Sequence, residues 1–197
     1  MKNAARAGYH HGALRQSLLD HAIALLDAEG VDAVTIRAVA RAAGVSHAAP
    51  VNHFESRNAL LTAMATSFFD ALSLEVARRV EVRAGGRQRV RAFAEALVDY
   101  GLGHPHRYRL LWRRDLLVED AALKAAMDGI YGRLIAELAS LPPAGGKSPH
   151  TMATAMWSLT HGYLVMRLDE VFEARDDELT GQPRLQAMLD LILDPEP

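Results

Sequence analysis

Residues 35–54 read TIRAVARAAGVSHAAPVNHF, from Thr35 to Phe54. Ile36, Val39, Ala40 and Ala43 recur at helical spacing, and Arg37 and Arg41 share the opposite face at i, i+4. Thr35 stands where an N-cap belongs, and Gly44 stands where a helix must turn away through a positive φ. The spacing predicts two short helices, Ile36–Ala43 and His47–Phe54, joined by Gly44-Val45-Ser46. That is the length and composition of a helix-turn-helix. Val45 fills the angle between the helices and Ser46 caps the second. In such a motif the second helix enters the major groove while the first crosses the phosphate backbone. His47, Asn52 and His53 then reach bases or phosphates, with Ser46 and Ala48 on the same segment; Thr35, Arg37 and Arg41 are placed for phosphates. No acid occurs from Ala33 to Phe54, where a carboxylate would face a polyanion. Pro50 removes one backbone donor near the first turn of the second helix. Spacing alone also suits a tight helical hairpin inside a core.

The rest of the chain sets the context. Its 197 residues suit one domain or two small ones, and half of them are hydrophobic, as in a globular protein. The absence of cysteine excludes disulfides and thiolate chemistry and suits a reducing cytosol. The N-terminal stretch is basic but has no apolar core, so it does not read as a signal peptide. No uninterrupted apolar run reaches the length of a bilayer span, so the expectation is a cytoplasmic protein with no membrane partner. The net charge of −2 is unevenly spread: Lys2, Arg6 and Arg15 stand alone before Leu19, whereas acids dominate after Asp115.

Periodicity predicts an all-α chain. The expected helices are Leu14–Glu29, closed by Gly30; Asn58–Arg83, with Leu60, Leu61, Met64, Phe68, Leu72 and Val76 inward; Gln88–Leu102; His104–Trp112; Glu119–Leu141; Pro149–Arg175; and Pro183–Leu193. The loop Pro142–Gly146 separates two of them. Gly101-Leu102-Gly103 lacks the remainder of a phosphate-binding loop, no G-x-S-x-G elbow occurs, and His10-His11 and His104-x-His106 lack carboxylate or cysteine partners at ligand spacing. The reading is therefore of a non-enzymatic protein without metal or cofactor.

From Tyr9 to Leu61 the sequence resembles the DNA-binding domain of TetR-family transcriptional regulators. The carrying residues are the helix to Glu29, Gly30, Thr35-Ile36-Arg37-Ala38-Val39-Ala40, Ala43-Gly44-Val45-Ser46, His53-Phe54 and Leu60-Leu61. The resemblance implies a three-helix DNA-binding domain over residues 1–57 and a larger helical effector-binding and dimerisation domain over 58–197. It also implies a homodimer on a palindromic double-stranded DNA operator, acting as a repressor and released by a small molecule. Trp157-Ser158-Leu159-Thr160-His161-Gly162 resembles the Trp-x-x-x-His-Gly signature of one C-terminal subgroup, as does the stretch His104–Leu111.

One departure stands out. Such regulators usually carry an aromatic residue, most often Tyr, where this chain has Val51, and commonly a basic residue where it has Asn52. Each lost phosphate contact lowers the salt slope of DNA binding by roughly 0.9. Two consequences are open: the arm with Lys2, Arg6 and Arg15 compensates, or the operator preference is relaxed or unusual. The rival from another class is a helical ligand-binding or sensor protein without specific operator binding.

In the body, the candidate effector contacts are Met64, Phe68, Phe93, Tyr100, Tyr108, Trp112, Met127, Tyr131, Met156, Trp157 and His161, an apolar set with a few polar tips. The same stripes also suit plain core packing. The dimer seam is expected on the last two helices, Pro149–Arg175 and Pro183–Leu193, the latter with Leu185, Met188, Leu189 and Ile192 on one face; that stripe also suits packing on its own chain.

Overall fold

The computed structural model describes residues 3–142 and 146–193, with side chains from Ala13 onward. Among the described residues there are eight α-helices: α1 (Asn3–Glu29), α2 (Ile36–Ala42), α3 (Arg57–Glu81), α4 (Gly86–Gly103), α5 (Pro105–Leu111), α6 (Ala121–Ala139), α7 (Pro149–Leu168) and α8 (Arg184–Leu193). The expected all-α class is observed. Two 3-10 turns, Val31–Ala33 and Pro50–Asn52, punctuate the N-terminal part.

The chain divides into two compact units. The first comprises residues 1–68 and 106–124, the second residues 69–105 and 125–197. In the first unit α1 buries Leu18, Ala22 and Leu26, and α2 buries Val39 and Ala40. The N-terminal half of α3 adds Leu60, Leu61, Met64 and Phe68 to that core. In the second unit the core is built by Val90, Phe93 and Leu97 of α4, Ile130 and Leu134 of α6, Met156 and Leu164 of α7, and Leu185 and Leu189 of α8. Gly101 lets α7 come close to α4: a Cβ built on it would stand 2.3 Å from Leu164 Cδ2.

Several expected boundaries shift for physical reasons. Helix α1 starts at Asn3 and not Leu14, so Arg6 belongs to the helix; Lys2 lies outside the described residues. Helix α7 ends at Leu168 and not Arg175. Glu170 takes a φ of +57°, and the amides of Glu170 and Val171 bond back to the carbonyls of Arg167 (3.3 Å) and Met166 (2.9 Å). This is a Schellman stop, normally built on glycine, and it turns the chain where the apolar pattern through Val171 and Phe172 suggested continuation. Helix α3 has the length and apolar composition of a membrane span, which a search for uninterrupted apolar runs misses; half of its most apolar window is buried inside the protein.

Candidate nucleic-acid interface

Helix α2 begins as expected. Thr35 Oγ1 accepts from the Ala38 amide at 3.1 Å. Its end is a Schellman motif: the Gly44 amide donates to the Arg41 carbonyl at 3.2 Å and the Val45 amide to the Ala40 carbonyl at 3.0 Å, with Gly44 at φ +67°. Arg37 and Arg41 are exposed on the face opposite buried Val39 and Ala40.

The second helix of the motif departs from expectation. Residues 47–49 form turns and Pro50–Asn52 a 3-10 turn, in place of an α-helix over His47–Phe54. The amides of Ala49, Asn52 and His53 bond to the carbonyls of Ser46, Ala49 and Pro50, each three residues back. Pro50 has no amide hydrogen, so it cannot join an α-ladder, and its buried ring holds the turn against the protein. Ser46 contributes its carbonyl to this turn. Ser46, His47, Ala48, Val51 and Asn52 are exposed and His53 is half-buried, while Phe54 is 4% exposed and seals the inner side.

The structure brings the first unit's predicted residues together as follows. Arg37 Nε lies 3.4 Å from His47 Nε2, bridging the two arms of the motif. The Arg15 guanidinium lies over the Phe54 ring, 5.0 Å from its centroid, which fixes a cation of α1 beside the recognition segment.

Two further arginines were passed over in the sequence. Arg57 donates from Nε to the Val34 carbonyl and from Nη2 to the Val31 carbonyl, both at 2.6 Å. It thereby clamps the start of α3 to the turn that precedes α2. Arg107 of α5 forms a bidentate pair with Asp27 of α1, with Nη2–Oδ2 at 2.6 Å and Nε–Oδ1 at 2.9 Å, and its guanidinium lies 5.4 Å from the centroid of Phe68. Only the i, i+4 rule gives sequence-level charge pairs, and these partners are 80 residues apart.

The candidate effector residues fall into both units. In the first, Met64, Phe68 and Tyr108 are almost wholly buried; Tyr108 and Trp112 meet edge-on, with centroids 5.9 Å apart. Burial pushes the Tyr108 phenol above its ordinary range, while neighbouring Trp112 pulls the other way. In the second, Trp157 stands 6.3 Å from Phe93 and 5.9 Å from Tyr131, ring centroid to centroid. Tyr131 Oη is 2.8 Å from Thr154 Oγ1. Met156 is buried, and Tyr100, Met127 and His161 are half-buried. Burial lowers the pKa of His161. The space beside Gly162 is open.

Comparison with known proteins gives these features a family. The profile described as bacterial regulatory proteins, tetR family, matches residues 18–64, and that described as tetracyclin repressor-like, C-terminal domain, matches residues 90–192. The chain belongs to the TetR family. The uncharacterized HTH-type transcriptional regulator Rv0681 of Mycobacterium tuberculosis is 29% identical over 83% of this chain and 74% of its own length. A protein of unknown function from Rhodococcus sp. RHA1 superposes with a TM-score of 0.76 at 29% identity, covering 94% of this chain and 96% of that one. PfmR, a TetR-family regulator of Thermus thermophilus, superposes with a TM-score of 0.65 at 22% identity over 91% and 95% of the two chains.

In this TetR-family transcriptional regulator the four residues expected at a dimer seam divide by burial. Leu185 and Leu189 are 8% and 0% exposed within their own chain, packed with α4 and α7. Only Met188 and Ile192 of the four predicted residues are partly open, and Leu191, not predicted, is 75% exposed. The amphipathic pattern was real, but its buried stripe is satisfied at home. The second unit further holds a cleft of about 310 Å³ between the end of α7 and the start of α8, lined by Tyr163, Phe172, Arg175 and Arg184 among others. None of the predicted effector residues lines it.

Proposed function

We propose that this chain is a ligand-responsive repressor that binds a palindromic operator as a homodimer and is released by a small molecule. In this reading residues 1–57 engage DNA and residues 58–197 bind the effector and dimerise. The observation that carries it is the acid-free segment from Ala33 to Phe54, where Arg37, Arg41, His47 and Asn52 are exposed, with exposed Arg15 of α1 beside it over Phe54. Such a surface neutralises phosphates and releases their counterions. Thr35, Ser46, Ala48 and His53 complete the proposed contact set, with Lys2 and Arg6 as a basic extension.

Dimerisation supplies what one small motif lacks, since two motifs on a two-fold axis occupy successive major grooves about 34–36 Å apart. The outward face of α7 presents Ala155, Ser158, Gly162 and Met166, mostly small residues that allow a close approach, and α8 adds Met188, Leu191 and Ile192. A four-helix contact between two copies through these faces suits that pattern. The effector contacts are assigned to the aromatic and methionine set named above, including Trp157 and His161 of the proposed subgroup signature. A ligand that favours the non-binding geometry by a few kcal/mol suffices to release DNA.

The test is selection from a random duplex pool, followed by a salt series on the winning site. A palindromic winner is expected, with a steep fall in affinity as salt rises. Arg41→Ala should weaken binding to all sequences alike and reduce the log–log salt slope by about 0.9. Gly162→Glu should yield a monomer by sedimentation velocity and lose the palindrome. Sequence-blind binding by a stable dimer would refute the operator reading.

A further inference from the structure

The recognition segment has an unusual chemical make-up for a surface that meets DNA. From Ser46 to Phe54 it carries neither lysine nor arginine. Its exposed residues are Ser46, His47, Ala48, Val51 and Asn52, and Val51 leaves 52% of its surface in solvent. Pro50 and Phe54 are buried on the inner side, so the exposure of Val51 follows from the winding of the turn. Ala48, in the turn just before it, is exposed as well, so the segment offers small apolar groups beside Val51. Asn52 follows Val51 in the same 3-10 turn. It is exposed, and its side-chain carboxamide makes no bond to a described residue. The other nearby imidazole, His47, is engaged by Arg37.

A branched aliphatic group beside a free carboxamide matches the major-groove edges of adenine and thymine. Asparagine bonds adenine N6 and N7 as a bidentate pair, and an apolar side chain packs on the thymine C5-methyl. Guanine is read best by a bidentate arginine or lysine, which the segment lacks.

We propose that Val51 and Asn52 are the specificity-determining pair of this regulator: Val51 packs on a thymine methyl, and Asn52 bonds an adenine edge next to it. The residues that replace a phosphate-anchoring aromatic and a basic side chain thus transfer binding from backbone contacts to the reading of A·T pairs. This inference rests on the operator-binding reading above.

The experiment is a thymine-to-deoxyuridine scan of the selected operator, read by fluorescence anisotropy with the full-length protein and its Val51→Ala and Asn52→Ala variants. Deoxyuridine deletes the methyl group and keeps every hydrogen-bonding atom. One thymine in each half-site should cost the wild type about three- to fivefold in Kd on replacement, the worth of one buried methyl. Val51→Ala should bind the thymine and deoxyuridine operators equally. Asn52→Ala should lose about five- to 150-fold on the selected site and stop discriminating one adjoining adenine. Unchanged melting temperature and retained salt-dependent binding to random duplex show that the variants fold. A selected operator without a deoxyuridine-sensitive position, or one equally sensitive in Val51→Ala, overturns the assignment while leaving operator binding intact. Absence of any sequence preference in the wild type overturns both.

Discussion

The Arg57 clamp makes a demanding prediction because it joins two segments through one side chain. Its two 2.6 Å bonds run from a charged donor to backbone carbonyls of Val31 and Val34. A hydrogen bond to a charged group contributes about 1.5–3 kcal/mol net. Arg57 is half-buried, so solvent compensates part of the loss, and about 2–4 kcal/mol for the pair is the working value. Arg57→Met keeps the aliphatic stem and removes every donor. The turn Val31–Ala33 and helix α2 then open more readily, and at 1.4 kcal/mol per factor of ten their amide exchange should accelerate by about 25- to 700-fold. The amides of Val39 and Ala43, bonded to the Thr35 and Val39 carbonyls, are the reporters. Hydrogen exchange with mass-spectrometric localisation gives the readout. Arg57→Lys, with one compact ammonium in place of a fork, should fall between wild type and Met. If exchange across residues 31–43 is unchanged in Arg57→Met, the clamp carries no stability and the reasoning fails.

Three other expectations follow from close geometry and burial. Gly101→Ala drives a methyl into Leu164, which is 0% exposed and has nowhere to go; overpacking of about 1–3 kcal/mol outweighs a helix-propensity gain of about 1 kcal/mol, and Tm should fall by about 2–4 °C per net kcal/mol. Adding Leu164→Val should return part of that loss, and purely additive melting changes would argue against the clash. Glu170→Gly relieves a left-handed residue at φ +57° and should raise Tm by about 2–4 °C, a gain of about 1 kcal/mol; a fall would mean the strain is absent. Burial lowers the folded-state pKa of His161, so the unfolded chain takes up the proton first as pH falls. The stability His161 contributes is present above the ordinary histidine pKa and lost as pH falls through it towards the lowered folded value. The melting difference between wild type and His161→Gln should therefore change between pH 8 and pH 5.5, and a constant difference refutes the linkage.

Much of the fold is legible because its signals are local. The i, i+3, i+4 repeat of Leu60, Leu61, Met64 and Phe68 names the buried face of α3, and Thr35 and Gly44 bracket α2 by side-chain capping and backbone permissiveness. What the sequence conceals is non-local or conformational. Apolar Val171 and Phe172 extend the pattern of α7, yet the chain turns at Glu170, a residue type with no inherent claim to a left-handed backbone. The inward facing of Leu185 and Leu189 depends on α4 and α7 being within reach, which periodicity does not encode. Arg107 meets Asp27 only because α5 folds back onto the first unit.

The proline at position 50 has an outcome that outlasts its own contacts. A 3-10 turn advances about 120° per residue and an α-helix about 100°. Over the two steps from Pro50 to Asn52 the difference accumulates to about 40°. Exchanging Pro50 for a helix-forming leucine would rewind the segment and turn Asn52 to another direction, with every exposed letter unchanged. If the segment reads DNA as proposed, one buried ring sets which side chains it presents, and two chains with identical exposed side chains could differ in their targets through it.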